Sequence, residues 1–330
     1  MITDAESANI TQWDGRKGHY EVYFLKFNHV QTSTGFWIRY TLLAPVNGSP
    51  IAELWALFFD AHDPSKNKAV KNTFPVSRAV IKKDVFFFGI GNAFMNHTGA
   101  QGRITGNDGS MSWDLRFDPV AGLYRHFPAD WMYRTPLPST KVVSPNFSIK
   151  VYGSIEVDGK IYDCDGEPGQ QSHLWGTRHA AQWTWANANI FSEDETAIFE
   201  GLSASINIGR LLSPALTLFF LRYKGKDYYM NGLISLLRNS VDGSLPVWRF
   251  HSGYHGLRLS GEIRAPLESF IGVEYTDPDG AKLWCYNTEV ATLHLKVDGP
   301  GTKTGTLTSP GFTALEFVSR FRDPRVRIRL

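Results

Sequence analysis

The residues best equipped for chemistry lie close together: Ser172-His173-Leu174-Trp175-Gly176, then Gln182-Trp183-Thr184-Trp185-Ala186-Asn187-Ala188-Asn189. Three of the ten tryptophans fall in this stretch. A histidine among indoles in a water-poor pocket charges less readily, and it can donate or accept a proton. Indole faces attract cations through the ring quadrupole. Together these are the means to protonate a double bond and to hold the carbocation that results. Glu200, beside Ile198 and Phe199, is a carboxylate in apolar company and a second candidate acid. The sequence thus nominates His173 and Glu200 as proton donors. Trp175, Trp183 and Trp185 would enclose the substrate, and Asn187 and Tyr286 would orient it. The same residues also suit a core, with His173 hydrogen-bonded inside it and Glu200 at a solvated strand end.

Strands must position these groups. Period 2 puts Trp183, Trp185, Asn187 and Asn189 on one face. Indoles mixed with amides fit a cavity wall, which is mostly apolar with a few placed polar groups. In a dry core each amide would need a partner. His173 and Trp175 share a parity and are assigned to the same cavity. Residues 20–27 read as a strand with Tyr20, Val22 and Phe24 opposed to Glu21, Tyr23 and Leu25. Residues 35–43 oppose Phe36, Ile38, Tyr40 and Leu42 to a mixed face of Trp37, Arg39 and Thr41, and Trp37 joins the candidate cavity wall. Residues 52–59 and 84–89 are dense apolar runs, typical of strands buried on both faces. Asp108-Gly109 and Asp158-Gly159 are hairpin turns. Further strands are expected over 216–223, 227–232, 257–263, 270–276 and 281–289. Arg325, Arg327 and Arg329 alternate with Val326, Ile328 and Leu330, which predicts an amphipathic terminal strand or a charged edge. Helical signal is confined to 64–71 and 233–239. This pattern favours all-β barrels or sandwiches over a parallel α/β sheet. The Gly-, Asp- and Pro-rich residues 163–170 predict a boundary between two domains, 1–168 and 169–330.

Composition narrows the function. At 330 residues the chain can bury a substantial core. Aromatics reach 14%, as sheets and apolar pockets require. A net charge of +2 is too small to imply nucleic acid or a membrane surface. Apolar runs fall far short of the roughly 20 residues that span a bilayer, so no transmembrane segment is expected. The first residues lack the basic start and apolar run of a signal peptide. Cys164 and Cys285 make no disulfide framework, and a reducing, cytoplasmic setting is expected. The pairs His173 with His179 and His251 with His255 lack an acidic ligand at fixed spacing, so no metal is assigned. Gly-x-Ser-x-Gly, P-loop and His-Glu-x-x-His patterns are absent, and Gly89-Ile90-Gly91-Asn92-Ala93-Phe94 is a broken glycine pattern without a following helix.

His173-Leu174-Trp175-Gly176 followed by Gln182-Trp183-Thr184-Trp185 resembles the central motif of the carotenoid hydratase and tocopherol cyclase-like proteins, Asp-His-x-Trp-Gly and then Gly-Trp-Asp-Trp. His19-Tyr20-Glu21-Val22-Tyr23-Phe24 is similar to the aromatic-acidic opening of that group, and Ser112-Trp113-Asp114-Leu115 resembles one of its strands. The chain departs from the motif at Ser172 and Thr184, where the group carries Asp, and at Val22. The resemblance implies two lipocalin-like antiparallel β-barrel or half-barrel domains with a hydrophobic cavity between or within them. It implies hydration, cyclisation or pericyclic chemistry on isoprenoid or polyketide chains without an organic cofactor. Joined to the candidate acids above, it gives the expectation of acid-initiated hydration or cyclisation of an isoprenoid, terpenoid or polyene substrate. The alternative is a non-catalytic carrier for a hydrophobic small molecule. Oligomeric state is not encoded in any feature of the sequence.

Overall fold

A computed structural model of the 330-residue chain describes residues 2, 4–208, 211–254, 256–299 and 302–330. Two large antiparallel sheets carry almost all of its regular structure. In the first, His19–His29 is central. It pairs with Thr34–Ala44 on one side and with Lys160–Gly176 on the other. Beyond Thr34–Ala44 come Ile51–Asp60 and Lys68–Pro75; beyond Lys160–Gly176 come Thr140–Val157, Gly109–Ala121 and Gly99–Gly106. The sheet then curls back on itself. Asn72 Nδ2 donates to Thr105 O at 3.1 Å, and Ala69 N to Asp108 Oδ2 at 2.9 Å, so opposite ends of the strand order meet in a nearly closed, lipocalin-like barrel.

The second sheet is built around Gln182–Ala188, flanked by Ile198–Ser205 and Thr302–Ser319. Leu216–Tyr223 and Lys226–Met230 extend it one way; Lys282–Gly299, Leu257–Arg264, Val247–Tyr254 and Ser240–Ser244 extend it the other. Each sheet fills its own interior. Tyr23, Leu25, Phe27, Phe36, Ile38, Tyr40 and Leu42 face inward in the first. Phe199, Phe219, Leu221, Trp248 and Phe250 do so in the second.

The alternate residues of the same strands form a third core between the sheets. Tyr20, Val22, Phe24, Trp37, Trp55, Leu57 and Phe59 meet Trp185, Ile271, Val273, Tyr275, Cys285 and Val318 there. His19–His29 and Thr34–Ala44 are therefore buried on both faces along their whole length. Asn28 Nδ2 donates to Glu289 O at 2.8 Å across this seam. Gly35 lies under Glu289 so closely that a Cβ there would run into the Glu289 Cβ.

Three expectations change. Residues 163–170 form no loop or linker. They lie inside the strand Lys160–Gly176, and the chain passes to the second sheet only at residues 177–181. Gly166 (φ +88) stands where the pairing with Thr140–Val157 slips, between Val151↔Glu167 and Tyr152↔Asp165, so its glycine serves a β-bulge rather than a linker. Gly169 is small because a Cβ would meet Lys26 O at 2.6 Å. The C-terminus is not a regular strand either. It makes one parallel bridge, Gly272↔Ile328, buries Val326 in the second core, and sends Arg329 to Asp108 of the first sheet at 2.6 Å. Of the helical segments, 64–71 reduces to a 3₁₀ turn at Pro64–Lys66, while Leu233–Arg238 is α-helical. No helix of the described residues is long and apolar enough to cross a membrane.

Candidate functional site

Between the sheets the third core opens into a cavity of about 210 Å³. Val22, Phe24, Trp37 and Arg39 line it from the central strands of the first sheet; Ser172 and Leu174 line it from Lys160–Gly176. Trp183, Trp185, Glu200, Leu202 and Leu218 line it from the second sheet. Period 2 does this work: every second residue of each strand reaches the seam. Phe127, Met132 and Pro138, from the segment before Thr140–Val157, complete the wall.

Glu200 is the polar centre of this wall, only 1% exposed. Ile198–Ser205 pairs with Gln182–Ala188 in the register Asn187↔Glu200, which sets the carboxylate beside Trp185 and Asn187. Four N–H groups converge on it. Trp185 Nε1 donates to Oε1 at 2.8 Å, and His126 Nε2 lies 2.9 Å from the same oxygen. Asn187 Nδ2 and Gln170 Nε2 donate to Oε2 at 2.9 and 3.0 Å. His126 comes from the irregular stretch after Tyr124–Arg125, which Asn231 Nδ2 pins by donating to His126 O at 3.0 Å. Sequence reasoning missed His126 and Gln170. No periodicity marks the first, and the second sat in the supposed boundary.

Behind Glu200 lies a fully buried polar layer. Lys26 Nζ reaches Asn189 Oδ1 at 3.4 Å. Burial pushes the Lys26 ammonium down to about 8, against the opposing pull of Glu289 and Glu200. Burial likewise pushes the Glu289 carboxyl up to about 8; Lys26 draws it down and Glu316 raises it. Neither Glu289 oxygen has a hydrogen-bond partner, and Gln170 Oε1 and Asn187 Oδ1 are equally unpartnered. Such groups call for ordered water.

A second polar group lines the cavity away from Glu200. His179 Nδ1 lies 2.6 Å from Asp277 Oδ1, and Asp277 Oδ2 also receives Arg320 at 2.5 Å. The ring stacks on Tyr20 (4.0 Å) and Trp183 (5.5 Å). Burial holds the His179 imidazole below its ordinary range, although Asp277 pulls it upward. Nδ1–H donates to Asp277, so the basic lone pair is left on Nε2. Glu316 accepts from Trp183 Nε1 (2.6 Å), Tyr275 OH (3.1 Å) and Cys285 Sγ (3.2 Å).

Three nominated residues lie elsewhere. His173 does not open into the cavity: Ser172 and Leu174 do, so alternation turns 173 and 175 to the opposite face of the strand. There His173 is fully buried, with Nδ1 2.7 Å from Ala8 O and Nε2 2.9 Å from Glu21 Oε1. Glu21 also accepts from Gln12 N, Trp13 N and Tyr23 OH. Burial would raise the Glu21 carboxyl, but hydrogen bonds from His173 and His19 outweigh it and hold the group far below the carboxylate range. Trp175 packs with Ala8 and Val143 rather than against the cavity. Tyr286 belongs to the core of the second sheet, and its hydroxyl accepts from Asp323 N at 2.5 Å. Its neighbour Cys285 faces the seam instead. Trp37, Trp183, Trp185 and Glu200 line the cavity, and Asn187 supports Glu200. His173 and His179 fall in separate clusters. His255, paired with His251 in the sequence, lies outside the described residues.

Known proteins share this architecture. A family model described as tocopherol cyclase-like matches residues 66–311. Uncharacterized proteins of two Mycobacterium tuberculosis strains are 28% identical over 296 residues, covering 90% of this chain and 86% of theirs. A candidate AttH from Nitrosomonas europaea superposes with a TM-score of 0.56 at 14% identity, over 97% of this chain and 100% of that one. Kievitone hydratase from Nectria haematococca superposes with a TM-score of 0.50 at 10% identity, over 91% and 88%.

Proposed function

The chain belongs to the tocopherol cyclase-like family, and on that premise we propose that it is an enzyme of the hydratase or cyclase type. Its substrate would be an apolar, unsaturated molecule of isoprenoid, terpenoid or polyene character. One observation carries the reading: a carboxylate, Glu200, in the wall of an aromatic cavity, backed by the imidazole of His126. The cavity, about 210 Å³, is smaller than the roughly 300–1,000 Å³ of sites for drug-sized ligands. It suits a compact molecule, or the reactive end of a longer chain.

The proton between His126 Nε2 and Glu200 Oε1 passes through Glu200 to one carbon of a double bond. The π electrons form the new C–H bond, and a cation grows on the neighbouring carbon. Trp185 and Phe24 stand edge-to-face at 5.5 Å beside it, and each ring face contributes ~0.5–2 kcal/mol toward a cation. In hydration, a water lone pair closes on the cation and a proton returns to Glu200. In cyclisation, a second double bond or a hydroxyl closes on it, and a proton leaves to Glu200. Either route regenerates the acid.

The test is turnover of a panel of polyenes and terpenoids, with products read by mass spectrometry. Glu200→Gln should lower turnover by about 10²-fold or more, the scale of a lost general acid. Affinity for a saturated analogue should stay within a few-fold. Undiminished turnover in that variant overturns the assignment. The carrier reading draws on the same carboxylate, whose four donors would also serve a purely structural node. A wild type that binds the panel and converts none of it would favour the carrier.

A further inference from the structure

Arg39 does not fit a cavity meant for hydrocarbon alone. It is only 6% exposed, yet it lines the cavity. Its Nε donates to Thr41 Oγ1 at 2.9 Å. Its Cζ lies 4.2 Å from the ring centroid of Tyr275, 5.3 Å from that of Trp55 and 5.6 Å from that of Trp37. Ring faces attract the charge but do not accept the in-plane N–H bonds that a guanidinium directs outward.

Nearby carboxylates are engaged elsewhere. Glu316 is held by Trp183, Tyr275 and Cys285. Asp277 is held by His179 and Arg320. Glu53, whose strand neighbours that of Arg39, pairs with Lys71 at 2.9 Å. Among the described residues Arg39 makes no ion pair, and it is the one Arg or Lys lining the cavity. Of the five N–H donors that a guanidinium carries, four have no acceptor among the described residues. A buried cation left so incompletely paired is costly unless something arrives to pair it.

We propose that the ligand of this cavity carries a carboxylate or comparable oxyanion at one end, and that Arg39 binds it. The proposal rests on reading the cavity as a ligand site, though not on turnover. Arg39 and Glu200 share this cavity: Phe24 is the cross-strand partner of Arg39 and stands 5.5 Å from Trp185, whose Nε1 donates to Glu200. The anionic head and the acid therefore flank the same pair of rings.

Two saturated probes, decanoate and decanol, test this without any chemistry at Glu200. Their affinities are measured by calorimetry at neutral pH on the full chain. Wild type should favour the acid by about tenfold or more, as a charge-assisted bidentate pair predicts. Arg39→Met should erase that preference while leaving decanol within about threefold, and Arg39→Lys should keep part of it, because the charge remains but the fork is lost. A combined Lys141→Ala, Arg178→Ala variant, which removes cations from the neighbourhood of lining residues Ser139, Thr140 and His179, should keep the preference. Equal affinities in wild type, or a preference that disappears in the latter variant, overturn the proposal. If Arg39→Met does not fold, the wild-type ratio still decides. Glu200→Gln should keep the preference even if no polyene is ever turned over, so failure of the catalytic reading would be distinct.

Discussion

Replacing Glu289 by Gln should make the protein more stable at pH 8 and leave it nearly unchanged at pH 5. In the folded state this carboxyl is fully buried with neither oxygen hydrogen-bonded, and it takes up its proton with a pKa of about 8 instead of 4.5. The folded pKa is the raised one. Its contribution to stability is therefore fully present below pH 4.5 and is lost as the pH climbs to about 8. Across that interval the slope is about 1.4 kcal/mol per pH unit, which gives an upper limit on the order of 5 kcal/mol. Water drawn to the bare oxygens reduces this to a few kcal/mol. Lys26 adds to the result: Glu289 helps hold its ammonium up, so in the Gln variant Lys26 sheds its proton at lower pH, which favours the variant further as the pH rises. Urea melts of wild type and Glu289→Gln at pH 5, 6, 7 and 8 give the difference directly, and titrating groups remote from Glu289 cancel between the two proteins. A difference that stays flat from pH 5 to pH 8 would refute the reasoning, because the carboxyl would then be as well solvated folded as unfolded.

Two substitutions separate scaffold from cavity. His173→Ala should cost about 3 kcal/mol in chemical denaturation, the low end for breaking a buried pair, because Glu21 keeps its backbone donors and Tyr23. Ligand affinity of the folded fraction should be unchanged; a large loss of affinity without a loss of stability would return His173 to the site. Gly35→Ala should lower stability by at least the 1–3 kcal/mol typical of an overpacked core, since the new methyl meets Glu289 across the seam. A melting temperature equal to that of wild type would mean that the sheets separate there without cost.

The alternation of polar and apolar residues made most of the fold legible. Tyr20, Val22 and Phe24 against Tyr23 and Leu25, and Trp37 against Phe36 and Ile38, fall on the faces that the pattern predicts. Trp183, Trp185 and Asn187 could be read for the same reason. Composition misled at residues 163–170, because a glycine that serves a bulge or a close approach looks like a glycine that serves a linker. Proximity in sequence misled at His173 and Trp175. Tryptophans on consecutive strands look like one cluster, but Trp175 and Trp183 lie in different sheets, and alternation counted along one strand does not carry through residues 177–181 to the next. His126, Gln170 and the Asp277 partner of His179 were out of reach, since each meets its counterpart only through tertiary folding.

The strands with no outer side bear on how this protein could be divided. Cut at residues 177–181, the first barrel would present Tyr20, Phe24, Trp37, Trp55 and Phe59 to water as one greasy slab, and the second half would present Trp185, Ile271 and Val273. Exposed patches of that kind drive aggregation. The shared core thus predicts that neither half, expressed alone, stays folded and monomeric.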